Sequence, residues 1–297
     1  VSAMEHMRGI GTQRIALPAL PSLAVDAALA VPGVDAIVVC TQTLKHKDVI
    51  AQVVATGKPI FIEKPIGFAA QDALEIADLV EAAGNIFQTG YFMRGIGELR
   101  KIKSLVDAGA FGQITRVRAS NCHRGALGGW FDGDMRWMAD PKQSGVGGFG
   151  DLGTHMLDIL IWMFGDVERV TGRIGLGTAR YEGCDETGEA ILVFKNGVVA
   201  TLAAGWDDIT DPQTYMVSGT QLHASVVQGK LRLTSLDGPY QGELEEGCES
   251  APAGFDAFLS VCTGGDADLV GVREAAYRNS VMQAVYESAA NSTWILL

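Results

Sequence analysis

The sequence predicts an α/β fold in which a parallel sheet is followed by an α+β domain with a large, open, mostly antiparallel sheet. Within residues 34–91, short β-branched runs alternate with helical segments through short loops, a pattern typical of parallel strands with right-handed crossovers. Beyond Gly112 the strand-like runs become longer, and Asn196-Gly197 separates two of them as a hairpin turn would. This change of pattern predicts two domains, at residues 1–93 and 94–297.

Composition and charge narrow the class of protein. The 297 residues suffice for two domains with sizeable cores. A formal net charge of −12 argues against a nucleic-acid partner, since such proteins present a basic face. No apolar run approaches the roughly 20 residues that cross a bilayer, so no membrane partner is expected. The five cysteines are scattered without a C-x-x-C pair, which favours reduced thiols in a cytoplasmic protein and no metal site.

The parallel sheet is predicted from three short strands and two helices. Glycines or prolines bound these segments, and each helical run ends at a glycine, as helices commonly do. Because ligands bind beyond the carboxyl ends of such strands, Thr41, Lys64 and residues 91–94 should lie beside a ligand crevice. The predicted segments are the strands Val34–Cys40, Lys58–Ile62 and Asn85–Tyr91 and the helices His46–Thr56 and Ala69–Ala83.

The start of the chain lacks a clear phosphate-binding turn. A complete Rossmann fold opens with a strand, a Gly-rich turn and a helix whose N-terminus holds a pyrophosphate. Gly9–Arg14 is the candidate turn, but no apolar strand precedes it, and prolines interrupt the segment that follows. We prefer to interpret Val1–Met4 as the second strand of that fold, with Glu5 at its tip accepting hydrogen bonds from an adenosine ribose. Loss of the Gly-rich unit, with impaired nucleotide binding, is the alternative, and the sequence leaves both open.

The second domain is predicted to carry a mixed sheet with helices on one face. Two of its runs, Glu189–Phe194 and Val198–Trp206, are apolar on both faces, so the open face needs a cover. His223 falls in another strand-like run, where a structurally satisfied histidine is expected. The other predicted strands are Ile114–Ser120, Arg169–Leu176, Thr214–Ser218 and Leu231–Ser235.

A glycine-rich segment, Gly147–Gly150, leads into a predicted amphipathic helix that ends near Phe164. Asp151 and His155 are four residues apart and therefore share a face of this helix. A carboxylate one turn before an imidazole can orient the ring and hold its tautomer for proton transfer. The glycines would let a substrate approach the start of the helix. A helix-capping role for Asp151 is the alternative. Asp158 is expected to pair inside the fold.

Two cations lie at predicted strand ends. Lys64 precedes Pro65, which holds it extended and directs its ammonium beyond the sheet edge. Arg94 follows the strand that ends near Tyr91, where a cofactor or substrate would lie. A solvated side chain is the alternative for each.

Several motifs together resemble the glucose–fructose oxidoreductase / inositol dehydrogenase (Gfo/Idh/MocA) family. They are Glu63-Lys64-Pro65, the preceding Thr41–His46, and Gly147–His155, in the family's order and spacing. Gly90–Arg94 and the closing segment Gly271–Leu296 are also similar, so the resemblance covers nearly the whole chain. Two features depart from it: Gln42 stands where the family commonly has proline, and no Gly-rich loop is visible.

The resemblance implies an NAD- or NADP-dependent enzyme that oxidises a secondary hydroxyl of a sugar, sugar derivative or cyclitol. In the implied mechanism His155 removes the hydroxyl proton while hydride passes to the nicotinamide. Lys64 polarises the same oxygen, and Asp151 binds a neighbouring hydroxyl and tunes the base. The resemblance also implies a homodimer or homotetramer that forms through the open sheet. The implied cofactor contacts are Glu5, Thr41, His46, Glu63, Lys64 and Arg94.

Further substrate contacts are expected from the segment after Ile114–Ser120. His123 and Arg124 would bind hydroxyls or a carboxylate, with an ordinary surface loop as the alternative. Trp130 and Trp137 are both candidates for an apolar face on which a sugar ring stacks, but for Trp137 burial in the core is the preferred expectation.

Two other functions remain open. One is elimination or hydrolysis through a transient keto sugar, and the other is a non-catalytic sugar or nucleotide sensor. Retention of Lys64, Asp151 and His155 together argues against the sensor. Glu5 favours NAD over NADP because it would repel a 2′-phosphate, but His6 and Arg8 nearby could accept one.

Overall fold

The computed structural model describes residues 24–210, 213–245 and 247–297. The predicted strand Val1–Met4, the Glu5 position and the Gly9–Arg14 turn lie outside the described residues. The chain divides into two compact units. In the first, residues 1–34, the described element is the short helix α1 (Val25–Leu29). All other described elements belong to the second unit, residues 35–297. The predicted domain boundary between residues 93 and 94 stays a prediction.

A parallel sheet with the strand order β1-β2-β3 confirms the first half of the predicted fold. Its strands are shorter than the predicted runs, because only three residues of each run pair with a neighbour. Gly57 and Gly84 end the two crossover segments in the left-handed conformation, with φ of 67° and 71°. The elements are β1 (Ile37–Val39), α2 (His46–Val53, continued by one 3₁₀ turn to Thr56), β2 (Ile60–Ile62), α3 (Ala70–Ala83) and β3 (Phe87–Thr89).

A nine-stranded sheet in the order β11-β10-β9-β8-β4-β7-β6-β5-β12 forms the second layer. It is mostly antiparallel, as predicted, and β4 with β7 is its parallel pair among the described strands. The strands β11 and β12 were not predicted. The bounds are β4 (Ile114–Cys122), β5 (Val167–Gly175), β6 (Thr187–Phe194), β7 (Val199–Gly205), β8 (Gln213–Gly219), β9 (Leu222–Val227), β10 (Lys230–Ser235), β11 (Gln241–Glu245) and β12 (Ile295–Leu296).

The hairpin between β6 and β7 turns at the predicted Asn196-Gly197 pair. The Gly197 amide donates to the Phe194 carbonyl at 2.8 Å, and the Phe194 amide donates to the Val198 carbonyl at 2.9 Å. Gly197 takes a φ of 86°, whereas Asn196 keeps a negative φ. The connection is therefore a three-residue loop with one left-handed glycine, and not a two-residue turn with both residues left-handed.

Helices cover one face of the large sheet and build the main core. On β6, Ala190, Leu192 and Phe194 point into this core, while Ile191 on the other face is 40% exposed. Helix α6 is buried on nearly every side, so the expectation of an amphipathic helix was wrong. The sheet packs on one side of α6 and α8 packs on another. The bounds are α4 (Gly97–Asp107), α5 (Pro141–Ser144), α6 (Gly148–Phe164), α7 (Phe255–Cys262) and α8 (Val272–Asn291).

Two further features concern the helices and the cysteines. In the described ranges no helix combines the length and the apolar character needed to cross a bilayer. All five cysteines are free thiols.

Candidate active site

Lys64 and Asp151 meet at the carboxyl edge of the parallel sheet. Lys64 follows β2, and Asp151 lies in the first turn of α6. The Lys64 ammonium donates to Oδ1 of Asp151 at 2.6 Å and to its backbone carbonyl at 3.1 Å. Both side chains are mostly buried, with exposed fractions of 14% and 13%. An ammonium carries three N–H groups, so these two bonds leave one donor for a ligand.

Trp206 holds the other oxygen of the Asp151 carboxylate. Its indole Nε1 donates to Oδ2 at 3.0 Å. Trp206 follows the last residue of β7 and is fully buried. The two oxygens of the Asp151 carboxylate are therefore bound by Lys64 and Trp206, which lie 87 and 55 residues away in the chain. No hydrogen bond joins Asp151 to His155 among the described residues, and the carboxylate acts on the imidazole through its charge, which opposes the lowering of the His155 pKa.

The glycines at the start of α6 serve packing within the fold, which corrects the expectation of a substrate approach. A Cβ on Gly147 would come within 2.4 Å of the Asp185 carbonyl, and one on Gly150 within 2.7 Å of the Tyr286 hydroxyl. The helix N-terminus is also capped. Asp185 accepts from the amides of Gly147 and Phe149, and Tyr286 accepts from the amide of Gly150. These donors are occupied, so Asp151 does not cap its own helix.

His155 lies one turn after Asp151 in an aromatic pocket. The Phe92 ring centroid is 5.1 Å from that of the imidazole, and the Tyr91 centroid is 6.2 Å away. The residue is buried, with only 6% of its surface exposed. Burial, reinforced by the Lys64 charge and opposed by Asp151, lowers the pKa of His155 to about 3. The ring is therefore neutral at physiological pH.

The Asp151 carboxylate stays ionised despite its burial. Burial alone would raise its pKa, but the charge and the hydrogen bond of Lys64 lower it below the usual value. The pair therefore presents a fixed positive and negative charge beside a neutral imidazole.

A cavity of about 310 Å³ opens beside this pair. Its floor is the sheet edge, where Thr41, Glu63 and Lys64 line it. Its other wall comes from the segment before α6 and is apolar: Met135, Trp137, Met138 and Val146. Trp137 is half-buried in this wall and not in the core, which corrects the expectation for that residue.

Besides Lys64, three predicted cofactor contacts lie along the same cavity. Thr41 is exposed, and the Glu63 carboxylate accepts from the Lys64 amide at 3.1 Å. His46 is 1% exposed, and its two ring nitrogens face the carbonyls of Ile66 and Thr41 at 3.2 and 3.1 Å. Burial is the main cause that lowers the pKa of His46. Its imidazole thus ties the turn after β1 to the segment after β2.

Arg94 is not brought to the Lys64–Asp151 pair. Its guanidinium binds Asp158 through Nε at 2.8 Å and through a terminal nitrogen at 2.5 Å. Arg278 donates to the same carboxylate at 3.0 Å, and Glu274 lies 3.3 Å from Arg94. Asp158 therefore pairs inside the fold, as predicted. This network joins the segment after β3 to α6 and α8, and a cofactor contact by Arg94 stays a prediction.

The remaining predicted substrate contacts follow β4. His123 accepts the Gly125 amide at its Nδ1, 3.0 Å away, and its ring packs on Trp130 with centroids 4.7 Å apart. Arg124 is exposed. His123 is close enough to Asp151 to help lower its pKa. Sequence reasoning missed Trp206, Met135 and Met138, since no local pattern links them to the site.

Comparison with known proteins settles the family. Residues 11–91 match the model of an oxidoreductase family with an NAD-binding Rossmann fold, and residues 99–224 match that of the GFO/IDH/MocA C-terminal domain. The chain belongs to the Gfo/Idh/MocA family. The resemblance inferred from Glu63-Lys64-Pro65 and Gly147–His155 is thereby confirmed.

Individual relatives are distant. The scyllo-inositol 2-dehydrogenase (NAD⁺) of Bacillus subtilis is 30% identical over 48% of this chain and 39% of its own length. The 2,7-anhydro-N-acetylneuraminate hydratase of Escherichia coli is 26% identical over 66% of this chain and 52% of its own. The chain thus spans about two fifths to half of these relatives. An Azotobacter vinelandii inositol dehydrogenase homolog, solved with NAD⁺, shares the fold with a TM-score of 0.79 at 15% identity, covering 92% of this chain and 81% of that one.

Proposed function

We propose that this protein is an NAD(P)-dependent dehydrogenase that oxidises a secondary hydroxyl of a sugar, sugar derivative or cyclitol. One observation carries the proposal: an ammonium and a carboxylate, Lys64 and Asp151, meet at 2.6 Å where parallel strands end, one helical turn from the neutral imidazole of His155. Membership of the Gfo/Idh/MocA family supports it.

The sheet edge fits a nicotinamide. The cavity of about 310 Å³ has polar groups on its floor and an apolar opposite wall that includes Trp137, as a flat ring with one polar side requires. Thr41, Glu63 and Lys64 would hold it. When bound there, nicotinamide supplies the hydride acceptor. We prefer NAD to NADP as the cofactor, because Glu5, if it lies beside the adenosine ribose, would repel a 2′-phosphate.

The protein's own groups handle the substrate oxygen. The free N–H of the Lys64 ammonium donates to the hydroxyl and stabilises the negative charge that develops there. His155 accepts the hydroxyl proton. Its Nδ1 is buried without a partner within the described part of the chain, so we assign the role to Nε2. We propose that Asp151 holds the Lys64 ammonium in place. We prefer this role to the direct binding of a neighbouring substrate hydroxyl by Asp151. His123, Arg124 and Trp130 would contact the rest of the substrate.

Assembly and location complete the proposal. On the open face of the large sheet, Ile191 and Val199 are 40% and 45% exposed, and Val227 is 52% exposed. We propose that a second copy covers this face in a homodimer or homotetramer. Five free cysteines support a reducing, cytoplasmic setting.

A screen of cyclitols, aldoses and anhydro sugars with NAD⁺ and NADP⁺, followed at 340 nm, tests the function. Net cofactor reduction and a keto product support the dehydrogenase. The hydratase relative defines the competing result, in which product forms without net cofactor reduction.

A further inference from the structure

Trp206 and Lys64 together hold the Asp151 carboxylate. Lys64 binds Oδ1 of that carboxylate, and the Trp206 indole binds Oδ2 at 3.0 Å. With both oxygens held from opposite partners, the carboxylate cannot rotate without breaking one bond. The ammonium is held by Oδ1 at 2.6 Å and, at 3.1 Å, by the backbone carbonyl of the same residue, so the carboxylate supplies the shorter of its two bonds.

The indole is itself rigidly placed. Trp206 is fully buried, its amide donates to the Glu186 carbonyl at 2.7 Å, and its carbonyl accepts from Ala126 at 2.8 Å. The Phe131 ring stacks on it with centroids 4.2 Å apart and an interplanar angle of 36°. A side chain fixed by two backbone bonds and a stacked ring can hold a partner to within a few tenths of an ångström.

The chemistry of the donor suits this task. An indole N–H donates and never accepts, and it has no charge to lose between pH 4 and 10. It therefore stabilises the ionised carboxylate without competing for the Lys64 ammonium. Three other ionisable groups act on Asp151: Lys64 after β2, His155 on α6 itself and His123 after β4.

We propose that Trp206 is a positioning residue of the active site, which acts through Asp151 to fix the Lys64 ammonium over the reacting oxygen. This inference rests on the proposed dehydrogenase function for its catalytic consequence. The hydrogen bond and its dependence on Asp151 can be tested without any turnover.

The first experiment observes the indole N–H directly. The protein is labelled with ¹⁵N-tryptophan, which gives one indole signal for each of its five tryptophans, and Trp206→Phe assigns one of them. We expect that signal to be shifted downfield and to move in Asp151→Asn, where the acceptor is neutral. An indole signal that is insensitive to Asp151→Asn overturns the proposal, whether or not the protein is a dehydrogenase.

The second experiment separates positioning from packing. Replacement of Trp206 with 3-benzothienylalanine keeps the ring and replaces N–H by sulfur. We expect kcat to fall by up to about 10²-fold, with KM changed less than threefold, because a misplaced group costs rate. The acid limb of kcat/KM should move to higher pH, since Asp151 loses a donor. Phe131→Leu, which removes only the stacked ring, should leave that limb in place.

A double variant tests whether Trp206 acts through Asp151. Trp206→Phe should add little, less than about threefold, in an Asp151→Asn background if the indole acts through that carboxylate. An equal loss in both backgrounds, or an unchanged acid limb in the benzothienyl protein, means that Trp206 only packs and overturns the proposal. A protein with no turnover on any substrate refutes the dehydrogenase function and leaves the NMR result to decide the inference.

Discussion

The Lys64 ammonium lies 2.6 Å from Oδ1 of Asp151 across 87 residues of chain, with both side chains mostly buried. This contact joins the parallel sheet to the first turn of α6. It makes the two residues depend on each other for charge balance, because either charge left alone would be buried without a partner.

Removing one member of this pair should therefore lower the free energy of unfolding more than removing both members. We expect Lys64→Ala to destabilise the fold by roughly 3–5 kcal/mol, and Lys64→Ala with Asp151→Asn to recover most of that loss without recovering activity. Urea unfolding measures it. The control is Lys195→Ala in the pair with Asp166, where both side chains are exposed and the expected loss is at most about 1 kcal/mol. Equal losses at the two sites would contradict the buried pair.

The free energy of unfolding should decrease as the pH is lowered, and His155 is the main cause that we expect. Its pKa is about 3 in the folded state and near 6.5 in the unfolded chain. Below about pH 6.5 the unfolded state therefore binds a proton that the folded state refuses, and stability declines by about 1.4 kcal/mol per pH unit. His46, whose pKa burial also lowers, adds a slope of the same sign.

Unfolding measured between pH 7.5 and 4.5 checks this expectation. His155→Gln should reduce the slope by about 1.4 kcal/mol per unit in the lower part of that range while His46 keeps its own share. An unchanged slope would mean that His155 takes up a proton in the folded protein.

Arg94 should prove more important for stability than for cofactor affinity. Its guanidinium neutralises Asp158, a carboxylate that is 1% exposed. We expect Arg94→Ala to cost roughly 2–5 kcal/mol, moderated because Arg278 stays bound to Asp158. The dissociation constant of NAD⁺, measured on the folded fraction, should change less than threefold. A tenfold weakening with normal stability would restore the predicted cofactor contact.

The open sheet face should control assembly. Ile191→Glu and Val199→Glu place charges on a face that we propose to be covered, so both should convert the oligomer to a monomer of 31.5 kDa. Light scattering after size exclusion measures the mass. Leu79→Glu, a partly exposed leucine on α3, is the matched control and should leave the mass unchanged. A monomeric parent protein would refute the assembly.

Local signals explain how much could be predicted. Glycine stops at Gly57 and Gly84, the Asn196-Gly197 turn and the alternation of strands and helices are short-range effects, and all reappear in the fold. Lys64 and Asp151 could be assigned to one site because each lies in a motif that resembles the family, Glu63-Lys64-Pro65 and Gly147–His155.

The partners of the site could not be predicted, because they depend on tertiary packing. Trp206 reaches Asp151 from 55 residues away, and Tyr286 reaches the start of α6 from 136. The same cause explains the wrong expectation for the glycines, which make room for Asp185 and Tyr286. For Trp137 the sequence offers both core burial and a ligand-facing position, and the structure places it in the cavity wall.

The turnover of His155→Ala tests the central claim most directly. Once the screen has identified a substrate, cofactor reduction at 340 nm gives kcat for the parent protein and the variant under the same conditions. The account predicts a fall of roughly 10²–10⁴-fold, the usual contribution of a general base. A kcat within about threefold of the parent would contradict it and assign the proton transfer to another group.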